Sequence, residues 1–323
     1  MSELVESIQD KITYVYTPFA RRILGSGNSA NPKKLAKEVD ARVILITGGS
    51  SGIGLAVAKQ LAATKAKIVL VARTMDKLLE AKREVEMKGG ECYVYSCDLS
   101  NAEACAKLVS EVVEDLGRVD VLINNAGRSI RRSIHQSYDR MHDFQRTMDI
   151  NYFGAVQMVL GLLPIMKQQD YGHIINISSI GVQANAPRFS AYVASKAALD
   201  AFSRCIASEI THNNIHLTNV YMPLVRTPMI APTKIYKHVP ALNTFQAAQL
   251  VLKPLVTKQK KVSTPLGRFS EVAYAISPKS IDWVQNTAYR VFPESNAKNA
   301  DGSEPELSFA GKVFARLSKG VHW

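Results

Sequence analysis

From residue 42 the chain alternates short, almost purely apolar runs with longer amphipathic stretches, and this limits the architectures open to it. The runs VILIT (43–47), KIVLVA (67–72), CYVYS (92–96), VDVLIN (119–124), HIINIS (173–178) and IHLTNVYM (215–222) have the length and β-branched content of buried strands. Between them the pattern predicts helices over 52–64, from the second strand to about 88, and over 101–116, 138–168 and 191–211. Strands separated by helices pair in parallel, because each crossover carries the chain back to the same end of the sheet. The expectation is an α/β fold, a doubly wound parallel sheet with helices on both faces. A further apolar helix is expected near 244–256 and a last strand near 261–265. This reading gives a single domain at 41–268, an N-terminal arm at 1–40 and a C-terminal extension at 269–323. In the arm, Leu4, Ile8, Ile12 and Tyr16 recur at helical spacing and GSGNSANP (25–32) reads as a linker.

Composition narrows the class further. Of 323 residues, 46% are hydrophobic and 21% charged, which is enough apolar surface for a core and argues against disorder. The four cysteines are irregularly spaced and form no Cys-x-x-Cys pair, so neither a disulfide framework nor structural zinc is expected, and no metal is assigned. The start MSELVESIQD is acidic and lacks an apolar signal core, and the apolar stretch 156–166 is far shorter than the ~20 residues of a membrane span. A cytoplasmic location is expected. The net charge of +12 is spread along the chain without a nucleic-acid-binding signature. No nucleic-acid partner is expected; phosphate-rich small molecules suit the pattern better, and peripheral contact with an anionic membrane stays open.

The first strand runs into Gly48, Gly49, Ser50, Ser51, Gly52, Ile53 and Gly54 and then directly into a helix. Glycines at such a junction let the backbone approach a pyrophosphate, and the helix start offers free N–H groups and a positive dipole end. At the end of the second strand, where a carboxylate would accept from an NAD ribose hydroxyl, stand Arg73 and Thr74. A guanidinium cannot accept that bond but pairs with a 2′-phosphate, which favours NADPH; Arg73 also reads as a solvated strand-end residue. Asp98-Leu99 and Asn124-Asn125-Ala126-Gly127 close the third and fourth strands, where ligands bind in such sheets, although Asn124 alone also fits ordinary turn chemistry.

Tyr192 and Lys196 lie four apart on an expected helix and so share a face. A phenol ordinarily ionises at about 10, and a cation beside it would bring it toward neutrality. Ser179 ends the fifth strand, and Asn151 lies inside the preceding helix.

Thr47–Gly54 (TGGSSGIG), Asn124–Gly127 (NNAG), Asn151, Ser179 and Tyr192-Val-Ala-Ser-Lys196 resemble, in order and spacing, the short-chain dehydrogenase/reductase family, which has a Rossmann fold. The resemblance implies that Tyr192 donates the proton, Ser179 orients the substrate oxygen, Lys196 holds the nicotinamide ribose and lowers the tyrosine pKa, and Asn151 supports a proton-relay water. It also implies a cofactor site made of Gly48, Ser50, Ser51, Gly52, Ile53, Gly54, Arg73, Thr74, Asp98, Leu99, Asn125, Ala126, Gly127, Tyr192, Lys196, Val225 and Thr227. One departure stands out: Met222-Pro223 occupies the place of the family's usual Pro-Gly before Val225-Arg226-Thr227, which removes an easy positive φ and stiffens the entry to the substrate loop.

Segments 124–140, 175–205 and 221–240, with the closing His322-Trp323, more narrowly resemble the bacterial fatty acyl-CoA reductases of this family, linked to wax-ester synthesis. That implies NADPH-dependent reduction of a long-chain acyl-CoA to a fatty aldehyde and CoA. Tyr192 and Ser179 would hold the developing oxyanion, a contribution of several kcal/mol in order of magnitude. Thiolate leaves readily, so no acyl-cysteine is needed; Cys92, Cys97 and Cys105 fall away from the nicotinamide end, and Cys205 is expected to be buried. Arg128, Arg131 and Arg132 follow the NNAG turn as candidates for the CoA phosphates or as solvated loop charges. Met222, Leu224, Met229, Ile230 and the aromatic tail are candidates for an apolar trough, or for plain core. The tail also suits membrane docking or subunit pairing, and a homo-oligomer is expected. The alternatives are a ketone reductase or hydroxyacyl dehydrogenase with the same site, and a nucleotide sensor without turnover.

Overall fold

The computed structural model describes residues 30–230 and 241–291. Seven parallel strands form one sheet in the order β3-β2-β1-β4-β5-β6-β7. They are β1 Val43–Thr47, β2 Lys67–Ala72, β3 Glu91–Ser96, β4 Val121–Asn124, β5 Gly172–Ser179, β6 Ile215–Met222 and β7 Lys261–Val262. The helices are α1 Pro32–Glu38, α2 Gly52–Leu61, α3 Met75–Glu86, α4 Ala102–Leu116, α5 Met141–Met148, α6 Gly154–Gln168, α7 Ile180–Ala184, α8 Ser190–Ile210, α9 Thr244–Thr257, α10 Pro265–Ile276 and α11 Pro278–Val291.

Every residue of β1, β4 and β5 is buried, as strands covered on both faces must be. On one face, Leu35 of α1, Val57 and Leu61 of α2, Leu78 and Val85 of α3 and Leu250 to Leu252 of α9 close over the sheet. On the other, Leu108 and Val112 of α4 and Met158, Leu162 and Met166 of α6 do the same. The chain is thus wound doubly, and the strand order reverses between β1 and β4, which opens a crevice beyond their carboxyl ends.

Three sequence boundaries are revised. The end of the expected arm folds as α1, capped by Asn31 and started by Pro32, with Leu35 and Val39 in the main core. The expected extension begins inside a helix: Thr264 caps α10, its hydroxyl accepting from Gly267 N at 3.1 Å, and Pro265 occupies the first turn. The expected helix over 138–168 forms from Met141, but a π-helical segment at Asp149–Phe153 joins α5 to α6. Together these 28 residues are long and apolar enough to cross a bilayer by length and composition, although the run 156–166 by itself is not. Here one face of that helix lies on the sheet, and Phe153 and Leu160 stay exposed on the other. Cys205 is also corrected from buried to exposed: it lies nine residues past the buried Lys196, about half a helical turn out of phase.

Candidate active site

At the carboxyl ends of β1 and β4 the two turns lock together. The Thr47 hydroxyl accepts from Asn125 N at 3.0 Å and Ala126 N at 3.1 Å, and Asn125 Nδ2 donates to the Thr47 and Gly48 carbonyls at 3.0 and 3.1 Å. Gly48 and Gly52 take φ values of +65° and +57°, in the left-handed region that favours glycine. Gly54 is required by proximity, since a Cβ there would stand 2.5 Å from the Gly48 carbonyl oxygen. Ser51 precedes α2 without a side-chain cap bond. The result is a bare, positively polarised helix start above a cradle without side chains, which fits a dinucleotide pyrophosphate.

A cavity of about 410 Å³ opens from this cradle. It brings together Gly48, Ser51, Gly52, Ile53, Asn125, Ala126, Gly127, Ser179, Tyr192, Lys196, Val225 and Thr227 among the residues expected from sequence. Gly54 and Ser50 belong to the glycine turn but stand behind its lining. Arg73 and Asp98 lie instead at a second depression, at the ends of β2 and β3, with Ser96 and Cys97. There Ser96 Oγ donates to the Arg73 carbonyl at 2.9 Å. The Ser100 hydroxyl and N–H hold the Asp98 carboxyl below its ordinary pKa, and the nearby Arg73 charge adds to the effect. Thr74 precedes α3 and is exposed. Leu99 does not reach either depression: its side chain is buried in the core under α4 and α6.

Ser179 ends β5 and caps α7, its Oγ accepting from Gly181 N at 3.0 Å. Burial holds the Tyr192 phenol above its ordinary pKa, and the nearby Ser179 hydroxyl works the other way. Burial thus opposes the acidified tyrosine expected from sequence, and the Lys196 ammonium donates to the Ile177 carbonyl at 2.7 Å. Lys196, 4% exposed, is itself lowered from 10.5 to about 8 by burial.

Asn151 sits in the π-helical segment, fully buried. Its Nδ2 donates to the Arg128 carbonyl and to Ser195 Oγ, both at 2.9 Å, and its Oδ1 accepts from Arg128 N at 2.8 Å. Ser195 Oγ donates in turn to the Tyr192 carbonyl at 2.7 Å. The Asn151 side chain is therefore a strut between the NNAG turn and α8: both of its amide protons are used, and its Oδ1 keeps one lone pair beyond the bond from Arg128 N.

The three arginines separate. Arg128 and Arg131 line the cavity. Arg132 does not: its Nε donates to Asp143 Oδ2 at 3.0 Å, beside Arg140 Nε at the same distance. It is corrected from a substrate contact to a member of this ion cluster. Met222, Leu224, Met229 and Ile230 all line the cavity. The chain passes through Met222-Pro223 with no positive φ at residues 222–230, and the parallel bridge Val225–Leu242 fixes the far end of that wall. Sequence reasoning missed Phe189, which lines the cavity with its ring 6.3 Å from that of Tyr192, edge to face. Its only sequence signal is a position one helical turn before the tyrosine.

A crevice at the strand reversal, a glycine cradle and a Ser179–Tyr192–Lys196 wall define an oxidoreductase site, and a short chain dehydrogenase family profile matches residues 42–236. The chain belongs to that family. Among its relatives is a fatty acyl-CoA reductase of Acinetobacter baylyi, 52% identical over 89% of this chain and 97% of the relative. A fatty acyl-CoA reductase of Mycobacterium tuberculosis is 42% identical over 76% of this chain and 83% of its own length. A metagenomic short-chain oxidoreductase solved in complex with NADP superposes with a TM-score of 0.60 at 29% identity, covering 70% of this chain and 97% of that one.

Proposed function

We propose that this chain reduces long-chain fatty acyl-CoA to fatty aldehyde and CoA, with NADPH as reductant. The observation that carries the reading is the cavity itself. It joins the glycine cradle and the Ser179–Tyr192 pair to an apolar wall of Met222, Leu224, Met229 and Ile230, with two cationic side chains, Arg128 and Arg131, also on its lining. An acyl chain suits the apolar wall, and the CoA phosphates suit the arginines. The similarity to fatty acyl-CoA reductases supports the same substrate class.

The cradle at Gly48–Gly54 would hold the pyrophosphate, Lys196 and Asn125 the nicotinamide end, and Arg73 a 2′-phosphate. Ala72-Arg73-Thr74 at the end of β2 offers no carboxylate to a ribose hydroxyl, which supports NADPH over NADH. When bound, the reduced nicotinamide supplies the electron pair and hydrogen that the carbonyl carbon gains.

The chain's own part is to bind and protonate the carbonyl oxygen. Ser179 and Tyr192 both line the cavity, so an oxygen placed between their hydroxyls can accept from both. Burial keeps the phenol protonated at neutral pH, the state a proton donor in reduction needs. As the C–S bond of the tetrahedral hemithioacetal breaks, its hydroxyl gives up its proton to form the aldehyde, and the departing CoA thiolate takes up one proton to become the free thiol. No cysteine is required; Cys92, Cys97 and Cys105 are buried and none lines the cavity. Incubation with NADPH and palmitoyl-CoA tests the reading: one free thiol should appear per NADPH consumed. Ketone turnover without thiol release would replace the thioester with a simple carbonyl, and cofactor binding without turnover would make the chain a sensor.

A further inference from the structure

The segment 180–190 joins the two hydroxyl-bearing residues, Ser179 and Tyr192, and supplies Ile180, Gly181, Ala186 and Phe189 to the cavity wall. It is held from outside by helices beyond the 42–236 region that matches the family. Gln183 Nε2 donates to Glu271 of α10 at 2.8 Å, and its Oε1 accepts from Ser263 Oγ at 2.8 Å. From α11, Gln285 Nε2 donates to the Ala184 carbonyl.

Arg188 makes a further tie. Its Nη2 donates to the Tyr289 carbonyl of α11 at 3.0 Å, and its guanidinium lies 4.1 Å over the centre of the Tyr289 ring. Its own carbonyl accepts from Arg132 N at 2.7 Å, so one residue links α11, the segment before Tyr192 and the loop after the NNAG turn. Arg188 does this with φ at +69°, a left-handed conformation that a non-glycine residue keeps when its surroundings hold it there. The next residue is Phe189, whose ring meets Tyr192 and whose carbonyl accepts from Val193 N at 2.7 Å.

We propose that Arg188 is a positioning residue for substrate specificity: by latching α11 to segment 180–190 it fixes the cavity wall at Ala186 and Phe189, and thereby the length of acyl chain the enzyme accepts. The proposal rests on the acyl-CoA reading for its substrate and on contacts within this chain for the latch. α11 does not line the cavity; it acts through the segment it holds.

The full chain is examined as wild type, Arg188→Gly and Tyr289→Leu. The glycine variant relieves the left-handed backbone while removing the guanidinium, so loss of the latch is separated from misfolding. Amide hydrogen exchange in 278–291 and 184–190 should accelerate about tenfold in Arg188→Gly and by a smaller factor in Tyr289→Leu, which removes the ring but keeps the carbonyl that Nη2 bonds, with 43–124 unchanged. NADPH affinity should stay within about twofold, and KM for palmitoyl-CoA should rise about tenfold with kcat nearly constant, as for a uniform binding loss. KM for butyryl-CoA should barely move. Unchanged exchange in α11 overturns the latch. Accelerated exchange with the same KM shift for both acyl-CoAs, or with none, overturns the specificity role. If the wild type turns over neither acyl-CoA, the functional reading and the acyl specificity fall together, while exchange still decides whether the latch exists.

Discussion

The Lys196 ammonium donates to the Ile177 carbonyl at 2.7 Å, so the cation one helical turn past Tyr192 is anchored to β5. Half-buried Tyr192 and buried Lys196 stand side by side and share one preference, for the uncharged form. Lys196 is pushed toward its neutral form, and Tyr192 is held in its protonated form. Both results follow from burial, which disfavours whichever form is charged.

This arrangement makes stability depend on pH with a defined sign. Lys196 falls from 10.5 to about 8 on folding, so between those values the unfolded chain binds more protons than the folded one. Stability should rise as the pH climbs through that window, by up to roughly 3 kcal/mol for the cofactor-free protein. Urea unfolding at intervals from pH 7.5 to 10, compared with Lys196→Met, isolates the contribution: the rise should be smaller in the variant by that amount. Equal slopes in the two proteins would show that the ammonium is not penalised by burial.

The glycine turn yields an ordered pair of substitutions. Gly54→Ala places a Cβ 2.5 Å from a backbone oxygen, which neither element can move away from cheaply. Gly52→Ala meets nothing closer than Thr227 Cγ2 at 3.4 Å and bears only the cost of φ at +57°. The first should lose on the order of 3 kcal/mol and the second about 1 kcal/mol. Thermal denaturation of the two variants checks the order, and the reverse order would contradict the close approach of the two turns.

On the proposed function, Arg73 sets the preference for NADPH over NADH. Arg73→Glu should lower NADPH affinity on the order of tenfold to a hundredfold while leaving NADH affinity equal or better. Titration of both dinucleotides by fluorescence measures this. An equal loss for both would remove Arg73 from any role in telling them apart.

Much of the sheet was legible because buried parallel strands carry their own signal: β1, β2 and β6 begin and end where their apolar runs do. The glycine turn, Ser179, Tyr192 and Lys196 were legible because their motifs bind them to strand ends, and the fold brings those ends to one crevice. What escaped depends on contacts between distant segments. The π-helical segment at Asp149–Phe153 lies within an unbroken helical pattern, and nothing local distinguishes Asn151 as a strut to Arg128 and Ser195. Arg132 looks no different from Arg128 in sequence, yet Asp143 captures it. The grip of α11 on segment 180–190 joins Arg188 to Tyr289, 101 residues apart. The raised pKa of Tyr192 escaped for the same reason: it comes from burial of the phenol among several elements, which spacing along one helix does not show.

On the proposed function, Tyr192 donates the proton to an oxygen that it shares with Ser179. The most direct measurement is kcat for Tyr192→Phe with NADPH and palmitoyl-CoA, beside NADPH affinity in the same preparation. kcat should fall on the order of a thousandfold, with NADPH affinity within about threefold of wild type. A variant that turns over at close to the wild-type rate while still binding NADPH would contradict that role.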